Sequence, residues 1–150
     1  MNVDLNAIKQ KGLVEKAFEF SYEPAASLTA LPQTSFREVN VSCLVELYDD
    51  EVLVSGTVLY TLSSVCSRCL APVIVTRTVE FDERFLSVSN PDSDEEAFRY
   101  SGNRLCLDDM VDQLILTDMP YSVYCKDDCK GICPECGQNL NDGDCGCNKI

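Results

Sequence analysis

Cysteine thiols are the reactive groups that this sequence concentrates, and their spacing is that of metal ligands. Between Cys125 and Ile150 lie Cys125, Cys129, Cys133, Cys136, Cys145 and Cys147, six of the ten cysteines in the chain, among few large apolar residues. A segment so short and polar cannot order itself by burying apolar surface alone. It needs a staple, and cysteine offers either a disulfide or a metal. The opening residues, Met1-Asn-Val-Asp-Leu-Asn, carry no basic leader followed by an apolar run, so the expected compartment is the cytoplasm. There, paired cysteines more often hold metal than form disulfides. With thiolates as the ligands and no histidine anywhere in the chain, the expected ion is zinc in a tetrahedral all-sulfur site.

The strongest string is Cys133-Pro-Glu-Cys136-Gly137, in which Pro and Gly permit the tight turn of a zinc knuckle. Its natural mate is Cys145-Gly-Cys147. That pair departs from the usual spacing, but an Asn-Asp-Gly turn can close so small a loop. A second C-x-x-C, Cys66-Ser-Arg68-Cys69, lies in the body of the chain. Two structural zinc ions are expected, one on Cys133, Cys136, Cys145 and Cys147, the other on Cys66, Cys69, Cys125 and Cys129. The second would join the body of the chain to the segment after its helix. An alternative partition places Cys125 and Cys129 with Cys133 and Cys136. Four protein thiolates leave no open position for water, so either arrangement is structural rather than hydrolytic. An iron–sulfur cluster uses similar ligands. A thioredoxin-type centre needs a helix after the motif, whereas Pro72 and a β-like run follow Cys69.

The elements that must position these thiols read as α+β. Phe18, Phe20 and Tyr22 alternate with polar residues, predicting a half-buried strand, and Pro24 and Pro32 then break the chain into a loop. Val39, Val41, Cys43, Val45 and Leu47 alternate in the same way. Asp49-Asp50 predicts a turn, and Val52, Val54, Gly56, Val58, Tyr60 and Leu62 continue as the second arm of a hairpin. Alternation resumes at Val73 and Val75 and runs towards Phe81 and Phe85, so an antiparallel β meander is expected. Cys43 lies on the apolar face and reads as core. Residues 87–101 are acidic and turn-rich and predict a mobile loop. Leu107, Met110, Val111, Leu114 and Ile115 mark one face of an amphipathic helix near 107–117, with Asp108 and Asp109 in its first turn and Pro120 closing the segment. Cys106, beside this stripe, is expected to pack rather than bind metal. The organisation is thus a mainly β body, 1–124, with the Cys-rich metal-stapled segment 125–150 docked on it.

Composition bounds the function. No apolar run approaches the twenty residues of a membrane span. Twelve basic and twenty-five acidic residues give a net charge of −13, and two zinc–tetrathiolate sites would bring it to about −17. So acidic a body is repelled by bulk phosphate, which disfavours whole-surface nucleic-acid binding. The charge is uneven, however: 52–79 carries Arg68 and Arg77 and no acid, whereas 80–112 has a net charge of −7. Arg68 and Arg77 are therefore the candidates for a phosphate or ribosome contact. The plainer role for Arg68 is to hydrogen-bond knuckle carbonyls or balance thiolates. There is no histidine for acid–base work, no P-loop and no dinucleotide fingerprint, so a non-enzyme is expected.

Taken together, Cys66-Ser-Arg68-Cys69-Leu-Ala-Pro72 after a hairpin and Cys129-Lys-Gly131-Ile-Cys133-Pro-Glu-Cys136-Gly-Gln-Asn139-Leu-Asn141 resemble the YceD family, named as the large ribosomal RNA subunit accumulation protein. The resemblance spans most of the chain, from about Val39 to Cys147. It implies a cytoplasmic, non-enzymatic factor supporting accumulation or processing of large-subunit ribosomal RNA. The expected partner is a large-subunit precursor, met through rRNA near Arg68 and Arg77 or, from the acidity of 80–112, through a basic ribosomal protein. No small-molecule substrate is expected. The competing class is a thiol-redox or zinc-responsive protein, which requires an exposed reactive pair at Cys66/Cys69 or Cys145/Cys147.

Overall fold

The structure, a computed structural model, describes all residues except 26, 27, 29, 30, 50, 93 and 148–150. It is mostly β-sheet with a small helical part, and its cysteine clusters gather the C-terminal stretch. The first elements are a short strand β1 (Asn2–Asp4) and a helix α1 (Leu5–Lys9). Strands β2 (Glu15–Ser21), β3 (Ser35–Leu47), β4 (Glu51–Val65) and β5 (Pro72–Ser87) then pair in chain order, each antiparallel to the last. Strand β6 (Phe98–Tyr100) adds to β5 in parallel and completes a five-stranded sheet. Strand β7 (Arg104–Cys106) returns to pair with β1, and helix α2 (Asp108–Asp118) follows.

Alternation of apolar residues builds the sheet. Val39, Val41, Cys43 and Val45 of β3 and Val52, Val54, Val58, Tyr60 and Leu62 of β4 are buried on one face, while their neighbours reach solvent to some degree. Each such side chain contributes about 1.5–3 kcal/mol on burial. A slip of one residue would turn the whole set outward, so the register is fixed by this face. Gly56 lies opposite Cys43 on β3, where a Cβ would stand 2.0 Å from the Ser42 carbonyl oxygen and 2.7 Å from the Cys43 Cα.

Helix α2 buries Met110, Val111 and Ile115 in the same core as these strands, together with Leu5 and Ile8 of α1. Asp108 and Asp109 place negative charge at the N-terminal turn of α2, where the helix dipole favours it. The helix stops at Asp118 because Met119 precedes Pro120 and takes the extended conformation (ψ 129°) that a following proline imposes. Cys66, Cys69 and Cys129 form a second buried cluster apart from this core, with Ala71 and Val73 against it.

Two expectations need correction, and part of two others lies outside the described residues. Cys106 does not pack: it is exposed, because Leu105 and Leu107 on either side of it are the residues turned inward. The acidic stretch 87–101 is not a plain loop. Phe98–Tyr100 forms β6, with the Phe98 ring stacked on Phe85 at 5.2 Å. Arg99 donates to the carbonyls of Ser87, Asn90, Asp92 and Asp94, and Arg84 pairs with Asp92 and Asp94. The anticipated Asp49-Asp50 turn falls partly outside the described residues, at Asp50, although the Tyr48 amide donates to the Glu51 carbonyl across it. The last three residues of the Cys-rich segment are likewise outside them. Among the described residues of that segment the one β-type pairing is the bridge between Ile132 and Asn139.

Candidate metal centre

Strand β4 ends at Val65 and β5 begins at Pro72, and the turn between them carries Cys66 and Cys69. The Cys66 amide donates to the Ala71 carbonyl at 2.8 Å and the Leu70 amide to the Cys66 carbonyl at 2.9 Å, closing a tight knuckle. Leu70 takes positive φ (61°) to do so. After α2 the chain returns to this turn, where the Ser67 amide donates to the Val123 carbonyl at 2.7 Å and the Val123 amide to the Ser67 hydroxyl at 3.2 Å. This two-way bridge delivers Cys125 and Cys129 to the knuckle. The four Sγ atoms of Cys66, Cys69, Cys125 and Cys129 lie within 4.8 Å of one another.

The second cluster is built by the Cys-rich segment alone. The Gly137 amide donates to the Cys133 carbonyl at 2.9 Å and the Cys133 amide to the Gln138 carbonyl at 2.8 Å, with Gly137 at positive φ (74°). This turn aims Cys133 and Cys136 at Cys145 and Cys147, and again all four Sγ atoms lie within 4.8 Å of one another. The structure therefore groups Cys125 and Cys129 with Cys66 and Cys69, not with Cys133 and Cys136.

The donor sets fit a metal ion. Four thiolates about 2.3 Å from a tetrahedral ion stand about 3.8 Å apart. The Cys66–Cys129 and Cys69–Cys125 sulfur separations are 3.8 and 3.5 Å. These distances are far beyond the roughly 2.05 Å of a disulfide bond, and every cysteine is free. The thiols are also electrostatically unequal. Burial opposes ionisation of Cys66, but the backbone N–H groups of Cys69, Arg68 and Cys125 outweigh it and bring its pKa down to about 6. The N–H groups of Cys136 and Glu135 bring Cys133 to about 6 as well. Cys125 is pushed up to about 12, first through its hydrogen bond with Cys69 and then by burial. Cys147 is pushed up to about 12 by Cys136 and Cys145. Crowded thiols divide in this way because they cannot all be anionic together unless a cation joins them.

The two arginines singled out in the sequence are both engaged. Arg68 donates through one terminal nitrogen to the carbonyls of Asp127 and Cys129, each at 3.2 Å, and lies 4.5 Å from the centre of the Tyr124 ring. It thus braces the returning chain against the knuckle. Arg77 lies on β5 and binds Asp118 at the end of α2 with both ends of its fork, at 2.6 and 2.8 Å. The two arginines serve different parts of the molecule. Cys66 is fully buried, so the Cys66/Cys69 pair does not present two exposed thiols, whereas Cys145 and Cys147 are partly accessible.

One functional side chain had no role assigned from sequence. Asn141 directs its Nδ2 at Cys129 Sγ, 3.3 Å away, and the resulting hydrogen bond is the foremost of those that lower the Cys129 pKa. The signal was the Asn-Leu-Asn string after the second knuckle, because Asn side chains in such turns fold back on nearby backbone.

Comparison with known proteins gives a family but no described function for the individual relatives. An uncharacterized protein of Mycobacterium tuberculosis is 28% identical over 93% of this chain and 70% of its own length. A second, from Mycobacterium bovis, matches at the same identity and coverage. A third, from Mycobacterium leprae, is 29% identical over 68% of this chain and 49% of its own length. No solved structure matches. Residues 54–150, which contain both four-cysteine clusters, match the family described as large ribosomal RNA subunit accumulation protein YceD, and the chain belongs to that family.

Proposed function

We propose that this protein is a non-enzymatic cytoplasmic factor in large ribosomal subunit biogenesis, stapled by two structural zinc ions. The observation that carries the reading is the pair of four-thiol clusters within a chain of the YceD family. Zinc is favoured because each cluster offers sulfur donors alone, all within 4.8 Å of one another, and the 3.8 and 3.5 Å separations in the first suit a tetrahedral ion. When bound, the metal supplies a cross-link, with no open position for a reacting water. Cys66, Cys69, Cys125 and Cys129 hold one ion and fasten the segment after α2 to the β4–β5 turn. Cys133, Cys136, Cys145 and Cys147 hold the other and give the Cys-rich segment its shape.

The partner in this reading is a precursor of the large subunit, met through a basic ribosomal protein. Support comes from the net charge of −13 and from the intramolecular hydrogen bonds that engage both exposed arginines, Arg68 and Arg77. A protein this acidic approaches a basic protein downhill and RNA uphill. No helix among the described residues is long and apolar enough to cross a membrane.

The test is sedimentation of tagged protein from cell lysate, with and without RNase, probed for large-subunit precursor particles. Co-migration that persists in small complexes after RNase supports the protein partner. Co-migration abolished by RNase, with crosslinks to ribosomal RNA, moves the contact to RNA. No association in either condition overturns the ribosomal reading.

A further inference from the structure

The two cysteine clusters are not independent in this fold. Cys129, a member of the first, and Cys133, a member of the second, are separated by Lys130, Gly131 and Ile132. The loop enclosed by the second cluster folds back onto this short connection. The Leu140 amide donates to the Gly131 carbonyl at 2.9 Å, and Ile132 and Asn139 form a bridge. Gly131 takes positive φ (77°) with its α-carbon against Arg68, where a Cβ would stand 3.2 Å from the Arg68 carbonyl oxygen. The connection is therefore clamped between the first knuckle and the second loop.

Asn141 closes the arrangement. Its Oδ1 accepts from the Lys130 amide at 3.0 Å, a donor that fixes which way the side-chain amide faces. Its Nδ2 then donates to Asn139 Oδ1 at 2.8 Å and to Cys129 Sγ at 3.3 Å. The Asn141 amide donates to Asn139 Oδ1 as well, at 3.0 Å, holding the loop in shape. A residue enclosed between Cys136 and Cys145 of the second cluster thus supplies a hydrogen bond to a sulfur of the first.

We propose that Asn141 is a positioning residue that couples the two centres, so that closure of the second cluster around its ion strengthens ion binding at the first. This rests on the metal-holding role of the clusters given above. Closure of the second cluster fixes Asn141, whose N–H then neutralises part of the Cys129 charge and holds that sulfur in place. Hydrogen bonds to ligand atoms of this kind change metal affinity by about 10–100-fold. Coupling between two binding sites is reciprocal, so emptying the first centre weakens the second by the same factor.

The experiment measures zinc affinity and release in the full chain by competition with a chromogenic chelator, and follows Co2+ substitution by the sulfur-to-cobalt absorption bands. Three proteins are compared: wild type, Asn141→Asp, and the double variant Cys145→Ser/Cys147→Ser. Asn141→Asp keeps the acceptor for Lys130 and removes the Nδ2 donor shared by Cys129 and Asn139. The expected result is two ions in wild type and in Asn141→Asp, with the first centre of Asn141→Asp binding zinc about 10–100-fold more weakly and its cobalt bands moved to lower energy. The double variant is expected to hold one ion, released correspondingly faster. Two ions in wild type with a first-centre affinity unchanged within about twofold in both variants would overturn the coupling and leave the metal assignment standing. No zinc in the wild-type protein would overturn the metal assignment, and the coupling with it.

Discussion

Arg77 on β5 grips Asp118 at the last residue of α2 through both carboxylate oxygens, and the same carboxylate accepts the hydroxyl of the buried Tyr60 on β4 at 2.6 Å. One carboxylate therefore ties the end of the helix to two adjacent strands.

This knot predicts an acid-sensitive component of stability. The Arg77 guanidinium comes first in holding the Asp118 pKa below its ordinary value, and burial works against it. A carboxylate with a depressed folded pKa stabilises the fold above its unfolded value, about 3.9, and that contribution is lost as pH falls through the folded value. Urea unfolding from pH 7 to pH 2 is expected to show this acid limb in wild type and to lack it in Asp118→Asn. At pH 7, Asp118→Ala should cost about 1–3 kcal/mol, because the Tyr60 hydroxyl is left without its acceptor. Identical pH profiles in wild type and Asp118→Asn would remove Asp118 from the account.

Gly56 is expected to be intolerant of any side chain. Its obstacle is the backbone of β3 at Ser42 and Cys43, which cannot swing aside as a flexible side chain can. Gly56→Ala should cost roughly 2–3 kcal/mol, at the upper end of the usual range for overpacked cores and above most single substitutions. Chemical denaturation compared with the exposed control Thr78→Ala tests this. A loss below about 0.5 kcal/mol would mean that the strands separate easily there.

Arg84 binds Glu51, Asp92 and Asp94, so it fastens the acidic connection between β5 and β6 to the edge of β4. Its side chain is partly exposed, and such pairs contribute little to global stability. Arg84→Ala should therefore leave the global unfolding free energy almost unchanged, yet speed limited proteolysis between residues 88 and 97 severalfold. Unchanged cleavage would show that the Arg99 bonds to the loop carbonyls suffice by themselves.

Removing metal with a strong chelator at neutral pH should release the order of 125–147 while the sheet persists. The main core, from Val3 to Ile115, shares no residue with the buried cysteine cluster. Structural zinc sites contribute on the order of 10 kcal/mol each in small peptides, so the effect on the cysteine segment should be all or none. Hydrogen exchange read amide by amide would decide. Protection lost in β4 and β5 as quickly as at Cys133 and Leu140 would show that the body also depends on the ion.

Much of this was legible in the sequence where a pattern repeats. Val39 to Val45 and Val52 to Leu62 alternate long enough to declare strands, and the spacing of Cys133, Cys136, Cys145 and Cys147 declares a cluster. Strands β1, β6 and β7 are three residues each, too short for a period to register. Helix α1 spans five residues and offers only Leu5 and Ile8 as buried positions. Cys106 adjoins the apolar stripe of the helix that follows it, yet it belongs to β7, in which period two turns it outward between Leu105 and Leu107. Arg77 illustrates a different limit. Nothing near it in the chain announces Asp118, 41 positions away, so an arginine in an acid-free stretch looked available when the fold had already engaged it.

The first cysteine cluster also fixes a timetable. Cys66 and Cys129 are 63 positions apart, so the turn carrying Cys66 and Cys69 is made long before its mates exist. At about 5–20 residues per second of synthesis, the early pair waits roughly 3–12 seconds for Cys129 to be added. During that wait β3, β4 and β5 can already pair with one another, because the β3–β4 and β4–β5 ladders use no residue beyond Leu86. The thiols of the second cluster, by contrast, all lie between positions 133 and 147 and are made almost together. A nascent chain thus carries an open two-thiol turn at the end of a finished hairpin, where oxidants and free metal compete for it until the remaining ligands arrive.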